Sequence, residues 1–266
     1  MADEEKTLAA IYREATSILE GMASEAKLTD EQLKEYFAVK KYESINDLYR
    51  GAVFSLTNRN MMPRVIDNNN LDQYGNLLME FEPSKVVETY SKNHELLLDE
   101  LKKLKNLNDS QIGSRSLWRM FAEGAISCAN FMAEFNSASE FYDFADTFAK
   151  SKIDLVVYAL PTLLAKEING FGFALACDFL KEAGYEQYPK PDVHIIDVLT
   201  GTGCLAGEHQ YMAFKKIRRM AEIVRETPYK VDKTIWLVCS GKFYDHDIEV
   251  NGKKDELIKK VVMHSG

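Results

Sequence analysis

A short glycine-containing turn between two apolar helical stretches is the first feature of this sequence that could do chemistry. The turn is Asn169-Gly170-Phe171-Gly172. Its glycines can adopt positive φ angles and expose backbone N–H groups, and the positive end of the next helix dipole lies directly after them. The turn could therefore bind an anion such as a phosphate group. A plain connection between two helices, with glycine as the cap, explains the same residues.

Asp192 is the second candidate, 20 positions after Gly172. Pro189 and Pro191 restrict the backbone just before it, and an apolar helical run follows it. Aspartate is a favoured helix N-cap residue, so a structural role accounts for it. A carboxylate in a rigid position can also stabilise positive charge on a sugar whose glycosidic bond is breaking. The two roles are compatible in one residue.

The elements that must position these residues are helices, because apolar residues recur at three- and four-residue steps through most of the chain. The clearest strand pattern is Asp247-Ile248-Glu249-Val250, followed by the hairpin turn pair Asn251-Gly252. We therefore expect an all-α fold with one minor strand pair near the end. The helices are expected at about 4–23, 29–38, 45–58, 69–81, 84–104, 113–134, 137–149, 152–168, 173–183, 193–200, 207–226 and 232–241.

The net charge of −8 and the pI near 5.3 argue against a protein that coats nucleic acid through its overall field. Any contact with nucleic acid must then be local. Residues 214–233 offer one such place, because this segment contains seven Lys and Arg residues and three acidic residues, which gives a local charge of 7 − 3 = +4. A solvated helix face explains this segment as well.

The four cysteines are widely separated and match neither a disulfide framework nor the spacing of zinc ligands, so we expect reduced thiols. The N-terminus is charged and has no apolar signal core, and no run approaches the ~20 apolar residues that span a bilayer. These features predict an intracellular protein without membrane contact. The expected compartment is the cytoplasm or nucleoid, or the nucleus if the source is eukaryotic.

The pairing of Asn169-Gly-Phe-Gly172 with Pro191-Asp-Val-His194 resembles the helix-hairpin-helix and Gly/Pro-rich loop signature of base-excision DNA glycosylases. Among them it is most similar to the 8-oxoguanine DNA glycosylases. Weaker similarity extends to residues 48–66 and 231–241. The resemblance implies one domain over residues 1–266, with two packed helical lobes at about 45–150 and 151–200 and a cleft between them. The N- and C-terminal helices would pack alongside.

The resemblance also implies roles for individual residues. Asp192 would stabilise the sugar cation as the base departs, and His194 would contact a phosphate, although a structural histidine at the helix start fits equally. Bifunctional members carry a Schiff-base lysine where this chain has Ala174, so the resemblance implies a monofunctional enzyme in which water attacks the sugar. DNA contacts are expected from Asn169, Gly170, Phe171, Gly172, Ala174 and His194.

Four alternatives remain open at this point, one of which is an all-α interaction protein that makes no contact with DNA. Another lysine, with Lys190 ahead of Lys166 and Lys181, could replace the missing nucleophile and give a bifunctional glycosylase with lyase activity. Helix-hairpin-helix units also act as DNA-binding modules without catalysis, and Ala174 is compatible with that role. Ala174 could also be a substitution introduced to disable a lysine enzyme.

The resemblance assigns further residues more weakly. Asn58, Arg59 and Asn60 would fill the gap left by a flipped base, although ordinary helix-end capping explains them too. Aromatic side chains would line the base pocket, or would be buried in the core as in most helical proteins. The aromatic candidates are Phe173, Tyr188 and Trp236.

The expected partner is double-stranded DNA that carries a damaged or modified base, bound by a monomer. The resemblance favours an oxidised purine, while an alkylated purine or an enzymatically modified base stays possible. No cofactor is expected, because the closely spaced cysteines of an Fe–S cluster are missing. A monovalent cation bound by the carbonyls of Ile168 and Gly170 is possible by the resemblance.

Overall fold

Helices make up nearly all the regular structure of the computed structural model, which describes residues 2–59, 61–91, 93–207 and 209–265. Within these residues lie 14 α-helices, four short 3₁₀ helices and one antiparallel pair of two-residue strands. The predicted all-α fold class is therefore confirmed. None of the described helices is long and apolar enough to cross a lipid bilayer.

The elements follow one another as α1 (Ala2–Glu25), α2 (Asp30–Glu35), α3 (Ile45–Thr57), α4 (Pro63–Ile66), α5 (Pro83–Tyr90), α6 (His94–Lys105), α7 (Leu117–Met132), α8 (Ala138–Ala149), α9 (Asp154–Glu167), α10 (Phe173–Glu182), α11 (Val193–Gly201), α12 (Gln210–Val224), α13 (Pro228–Ser240), β1 (Lys242–Phe243), β2 (Ile248–Glu249) and α14 (Lys254–Ser265). The chain divides into two compact units. Unit 1 consists of Met1–Val39 and Tyr185–Gly266, and unit 2 is Lys40–Gly184.

Unit 1 is built around α1, which packs against α12, α13 and α14. The buried face of α1 includes Leu8, Ile11 and Ala15, at the three- and four-residue steps that place side chains on one side of a helix. The core of this unit continues through α11 and α13. The apolar periodicity of the N-terminal residues therefore predicted the helix on which this unit is assembled.

Unit 2 is assembled on α3 and α7, which pack against each other. Helix α10 contacts both α3 and α9, so it connects the two helices beside the glycine turn to α3. Close approach of α3 and α7 depends on a small residue, because a Cβ at Gly124 would lie 2.5 Å from Cδ2 of Leu56. The helices next to the glycine turn are therefore held against tightly packed neighbours.

The structure corrects the predicted elements at several places. Residues 84–104 form two helices, because α5 ends before Ser91, whose φ is 52°, and Asn93 caps the start of α6. Residues 69–81 form 3₁₀ helices with non-helical backbone at Asn70 and Glu80. Helix α14 was not predicted. The expected lobes at about 45–150 and 151–200 stay a prediction.

The predicted strand at residues 247–250 is only partly right. Ile248–Glu249 pairs with Lys242–Phe243, so the turn lies at residues 244–247 and not at Asn251-Gly252. Gly252 has a different use, since a Cβ there would lie 2.3 Å from the carbonyl oxygen of Cys239. The glycine permits close backbone contact between the chain after β2 and the end of α13.

Candidate functional site

The glycine turn joins α9 to α10 within unit 2. Helix α9 ends at Glu167 and α10 begins at Phe173, within two residues of the bounds expected from the sequence. Between them Gly170 has a φ of +93°, and the N–H of Phe171 donates to the carbonyl of Ile168 at 3.1 Å. That bond already uses one lone pair of the Ile168 carbonyl, which was expected to bind a monovalent cation.

Gly170 and Gly172 differ in what they require. Gly170 has a left-handed backbone, and a Cβ there would lie 2.8 Å from Cδ1 of Leu56. Gly172 is the N-cap of α10 and has an ordinary extended backbone at φ −104° and ψ 175°. A Cβ at position 172 would have no described atom within 4 Å beyond its chain neighbours. The left-handed backbone therefore requires glycine at position 170, whereas at position 172 glycine is a favoured N-cap residue that the backbone conformation does not require.

The turn is fixed by contacts on both sides. The N–H of Asn169 donates to Oγ of Ser127 on α7 at 2.8 Å. Phe171 is buried at 7% exposure, and Ala174 in the first turn of α10 is buried at 9%. The start of α10 has no side-chain cap, since its N-cap is glycine. A rigid turn followed by a helix start without a side-chain cap is suited to binding an anion.

A pocket of about 440 Å³ lies beside the turn and reaches Asn169. It is lined on other sides by Glu123 and Glu167, and His94 lies 3.4 Å from a Glu123 carboxylate oxygen. These carboxylates make the surroundings of the turn acidic. An anion at the turn would therefore depend on backbone N–H groups and not on neighbouring basic side chains.

Asp192 lies in unit 1 and caps α11. Its Oδ1 accepts the N–H of His194 at 2.9 Å and that of Ile195 at 3.2 Å. Its Oδ2 accepts no hydrogen bond from any residue that the structure describes. The side chain is half-buried. The N-cap role expected from the sequence is thus confirmed, and it leaves one carboxylate oxygen available in a fixed position.

The chain before Asp192 is firmly packed. Tyr188, Pro189 and Pro191 are buried, and the N–H of Asp192 donates to the carbonyl of Lys190 at 2.9 Å. The two prolines therefore lie against the core of unit 1. Their fixed φ angles add to the restriction of the carboxylate that follows.

His194, the second residue of α11, is half-buried. Its backbone N–H is bound by Asp192, but its ring Nδ1 is buried and has no hydrogen-bond partner among the described residues. A buried ring nitrogen without a partner is uncommon. The predicted phosphate contact of this side chain is not tested by the structure.

The three polar residues after α3 differ in their surroundings. Asn58 donates from Nδ2 to Oδ2 of the buried Asp178 at 2.9 Å, so this amide serves the interior of unit 2. Arg59 is exposed. Asn60 lies outside the described residues. Of the three, only Arg59 is shown with an exposed side chain of the kind that a DNA contact needs.

The aromatic residues expected in a base pocket require one correction. Tyr188 is 0% exposed and stacks on Phe214 with ring centroids 6.3 Å apart, so it offers no surface to a base in this conformation. Trp236 is half-buried and packs edge-on against Tyr244. Phe173 is half-buried at the start of α10. Burial of Tyr188 follows from long-range packing, which the sequence does not display.

A second pocket, about 450 Å³ in volume, lies in unit 1 and is formed by residues that no sequence motif marks as candidates. It is lined by Ile196 of α11 and by His209, Gln210, Tyr211 and Met212 around the start of α12. Tyr211 and Met212 are 38% and 40% exposed. The residue types of Tyr211 and Met212 do not indicate a pocket, because apolar residues at the start of a helix usually belong to the core.

Part of the positive charge of the basic segment 214–233 is neutralised within unit 1. Lys216 and Arg219 form ion pairs with Glu4 and Glu5 of α1, and Lys230 pairs with Glu226 at 2.7 Å. The alternative of a solvated, ion-paired helix face therefore describes these residues well. Their charge is weak support for a DNA contact.

Comparison of the chain with protein-family models, with curated proteins and with solved structures gave no significant match.

Proposed function

We propose that this protein is a monofunctional DNA glycosylase that removes a damaged or modified base. In this proposal Asp192 is the catalytic carboxylate, and the turn at residues 169–172 binds the DNA backbone. The observation that carries the proposal is the state of Asp192. One carboxylate oxygen is fixed by two backbone N–H groups, and the other accepts no hydrogen bond from the described residues.

The chemistry that such a carboxylate supports is cleavage of the bond between the base and C1′ of the sugar. The bonding electrons leave with the base, which also takes up a proton, and C1′ gains oxocarbenium character. A nearby negative charge lowers the energy of that cation. The oxygen of a water molecule then bonds to C1′ and loses a proton, so the products are the free base and an abasic sugar.

Water is proposed as the nucleophile because Ala174 has no reactive group. Lys181 is a poor substitute, since it is 7% exposed and its ammonium group lies 3.4 Å from Asp178. Lys166 is exposed near the end of α9, and Lys190 lies in the loop before Asp192. A lyase step through either lysine is a measurable alternative.

Gly172 supports the proposed DNA contact. Neither its backbone angles nor its neighbours require glycine, whereas close approach of a phosphate to the N-terminal N–H groups of α10 would. A contact of this kind with the phosphate backbone does not depend on the base sequence of the DNA. With a net charge of −8 on the protein, binding should depend on few phosphates and decline shallowly with salt.

The test is a screen of DNA duplexes that each contain one candidate base, with and without alkali after incubation. Asp192→Asn is the matched variant, because asparagine is also a favoured N-cap and removes the charge while keeping the helix cap. We expect wild-type protein to produce alkali-dependent strand breaks on at least one duplex. Asp192→Asn should bind that duplex with similar affinity and release base far more slowly.

Two other outcomes would change the assignment. Strand breaks without alkali, together with a covalent adduct trapped by borohydride, would show a lysine nucleophile and a lyase step. Salt-sensitive DNA binding without release of any base, by wild type or variant, would favour the DNA-binding module. Absence of both binding and release would reject the proposal.

A further inference from the structure

The loop before Asp192 has a restricted set of hydrogen-bonding groups. In Pro189-Lys190-Pro191 only Lys190 has a backbone N–H, because proline nitrogen carries no hydrogen. That N–H donates to Oδ2 of Asp232 at 2.9 Å. Asp232 lies on α13 and is 1% exposed. The single backbone donor of the loop is thus bound by a carboxylate in the core of unit 1.

The same residue connects Asp232 to the candidate catalytic group. While the N–H of Lys190 donates to Asp232, its carbonyl accepts the N–H of Asp192 at 2.9 Å. Asp192 then caps α11 through its Oδ1. A continuous path of hydrogen bonds therefore runs from α13 through one residue of backbone to the carboxylate.

Two other contacts fix the approach to this loop at earlier residues. Arg218 donates from Nη1 to the carbonyl of Gln187 at 2.9 Å, and the N–H of Tyr229 donates to the carbonyl of Glu186 at 2.9 Å. Of the three contacts, the one made by Asp232 lies nearest to Asp192 along the chain.

Burial of an ionisable carboxylate costs free energy unless it is hydrogen-bonded. An apolar residue would fill this place on α13 at less cost, but it could not bind the Lys190 N–H. We infer that Asp232 is a positioning residue, which sets the place of the Asp192 carboxylate by binding the one donor of the loop. This inference rests on the proposed function, since it gives Asp232 a role in that same reaction.

The test compares three variants of the full chain. Asp232→Ala removes the acceptor, whereas Asp232→Asn keeps an oxygen that can accept the Lys190 N–H. Thr234→Ala is the matched control, because Thr234 is also polar, 2% exposed and on α13, but none of its described contacts is with the loop. Three quantities are measured for each: amide hydrogen exchange at Lys190 and Asp192, DNA affinity, and the single-turnover rate of base release.

We expect Asp232→Ala to speed exchange of the Lys190 amide by about 10-fold, while amides in the core of α1 stay protected. Base release at saturating DNA should fall by about 10- to 100-fold with DNA affinity unchanged, because a small displacement of a reacting group is costly. Asp232→Asn should restore both exchange and rate close to wild type. Thr234→Ala should change neither, whatever its effect on melting temperature.

The outcomes separate this inference from the proposed function. If no duplex is cleaved by wild type, the glycosylase proposal fails, and the exchange data alone decide whether Asp232 fixes the loop. If base is released and Asp232→Ala does so at the wild-type rate, the positioning role is wrong while the function stands. Unchanged Lys190 exchange in Asp232→Ala, or an equal loss of rate in Thr234→Ala, would also overturn it.

Discussion

Leu56 on α3 lies against Gly170 in the turn between α9 and α10, so closely that a Cβ at position 170 would come within 2.8 Å of its Cδ1. The same leucine side chain occupies the space beside Gly124 of α7. One apolar side chain therefore fills the junction of three elements. The position of the turn depends on the absence of side chains at two of them.

Gly170→Ala should destabilise the folded protein by about 1–3 kcal/mol, because alanine would adopt a positive φ and would also contact Leu56. Gly172→Ala should cost less, about 0.5–1 kcal/mol, because its backbone is extended and its surroundings are open, but alanine is a poorer N-cap than glycine. It should nevertheless weaken DNA binding if a phosphate approaches there. Denaturant unfolding and DNA titration of both variants measure these effects.

Each of the two glycine variants serves as the experimental control for the other. Equal loss of stability in both would contradict the conformational difference between positions 170 and 172. Unchanged DNA affinity in a fully folded Gly172→Ala would remove the turn from the proposed DNA interface.

Asp192→Ala should destabilise unit 1 by about 0.5–2 kcal/mol, because the two N–H groups capped by its carboxylate lose their acceptor. Asp192→Asn should be close to neutral in stability, since asparagine caps equally well. Thermal melting at fixed pH measures the difference. A large destabilisation by asparagine would show that the charge, and not the cap, stabilises the fold, and activity comparisons would then need correction.

Tyr142 joins two distant parts of unit 2. Its hydroxyl accepts the N–H of Tyr42 at 2.8 Å and donates to the carbonyl of Ala183 at 3.0 Å. Tyr142→Phe should cost about 1–2 kcal/mol, because both backbone groups lose this partner. Tyr90→Phe is the comparison, since among the described residues the Tyr90 hydroxyl has one hydrogen-bond partner, the carbonyl of Leu77. In denaturant unfolding, a smaller loss of stability in Tyr90→Phe than in Tyr142→Phe would support the stabilising role of the second hydrogen bond. A larger loss in Tyr90→Phe would contradict it.

All four cysteine side chains are buried, at 0% to 7% exposure, and form no disulfide with one another. Burial raises the pKa of Cys128 and Cys204 and raises that of Cys239 to about 12. Because the thiolate is the reactive form, the native protein should react very slowly with a thiol reagent at pH 8 and should show four fast thiols in guanidinium. Lys152→Cys, at an exposed position, is the positive control. Rapid labelling of native wild type would contradict this burial.

Stability should fall as the pH rises from about 10 to 12. Burial raises the pKa of Tyr49 well above its usual value, and burial together with Asp245 raises the pKa of Tyr36 to about 12. The folded state therefore keeps protons that the unfolded chain loses above its ordinary tyrosine pKa. This stabilisation is complete below pH 10 and is lost as the pH approaches the folded value. Melting at stepwise pH should show it, and Tyr36→Phe should have a shallower decline.

The sequence determined the local features of the candidate site. The spacing of apolar residues predicted the bounds of α9 and α10, and Gly170 predicted the turn between them. The capping role of Asp192 followed from its residue type and its place directly before a helical run. These features depend on contacts between residues only a few positions apart. Such contacts can be predicted from the sequence, because helix geometry and cap preferences are the same in every protein.

Only the tertiary structure decided which side chains serve the interior. It turned Asn58 towards Asp178, buried Tyr188 against Phe214, and bound the Lys190 backbone to Asp232. Each of these pairs is separated by 26 to 120 positions. Their contacts arise when helices pack, and packing depends on the summed shape and burial of many residues, so no local pattern in the sequence specifies them.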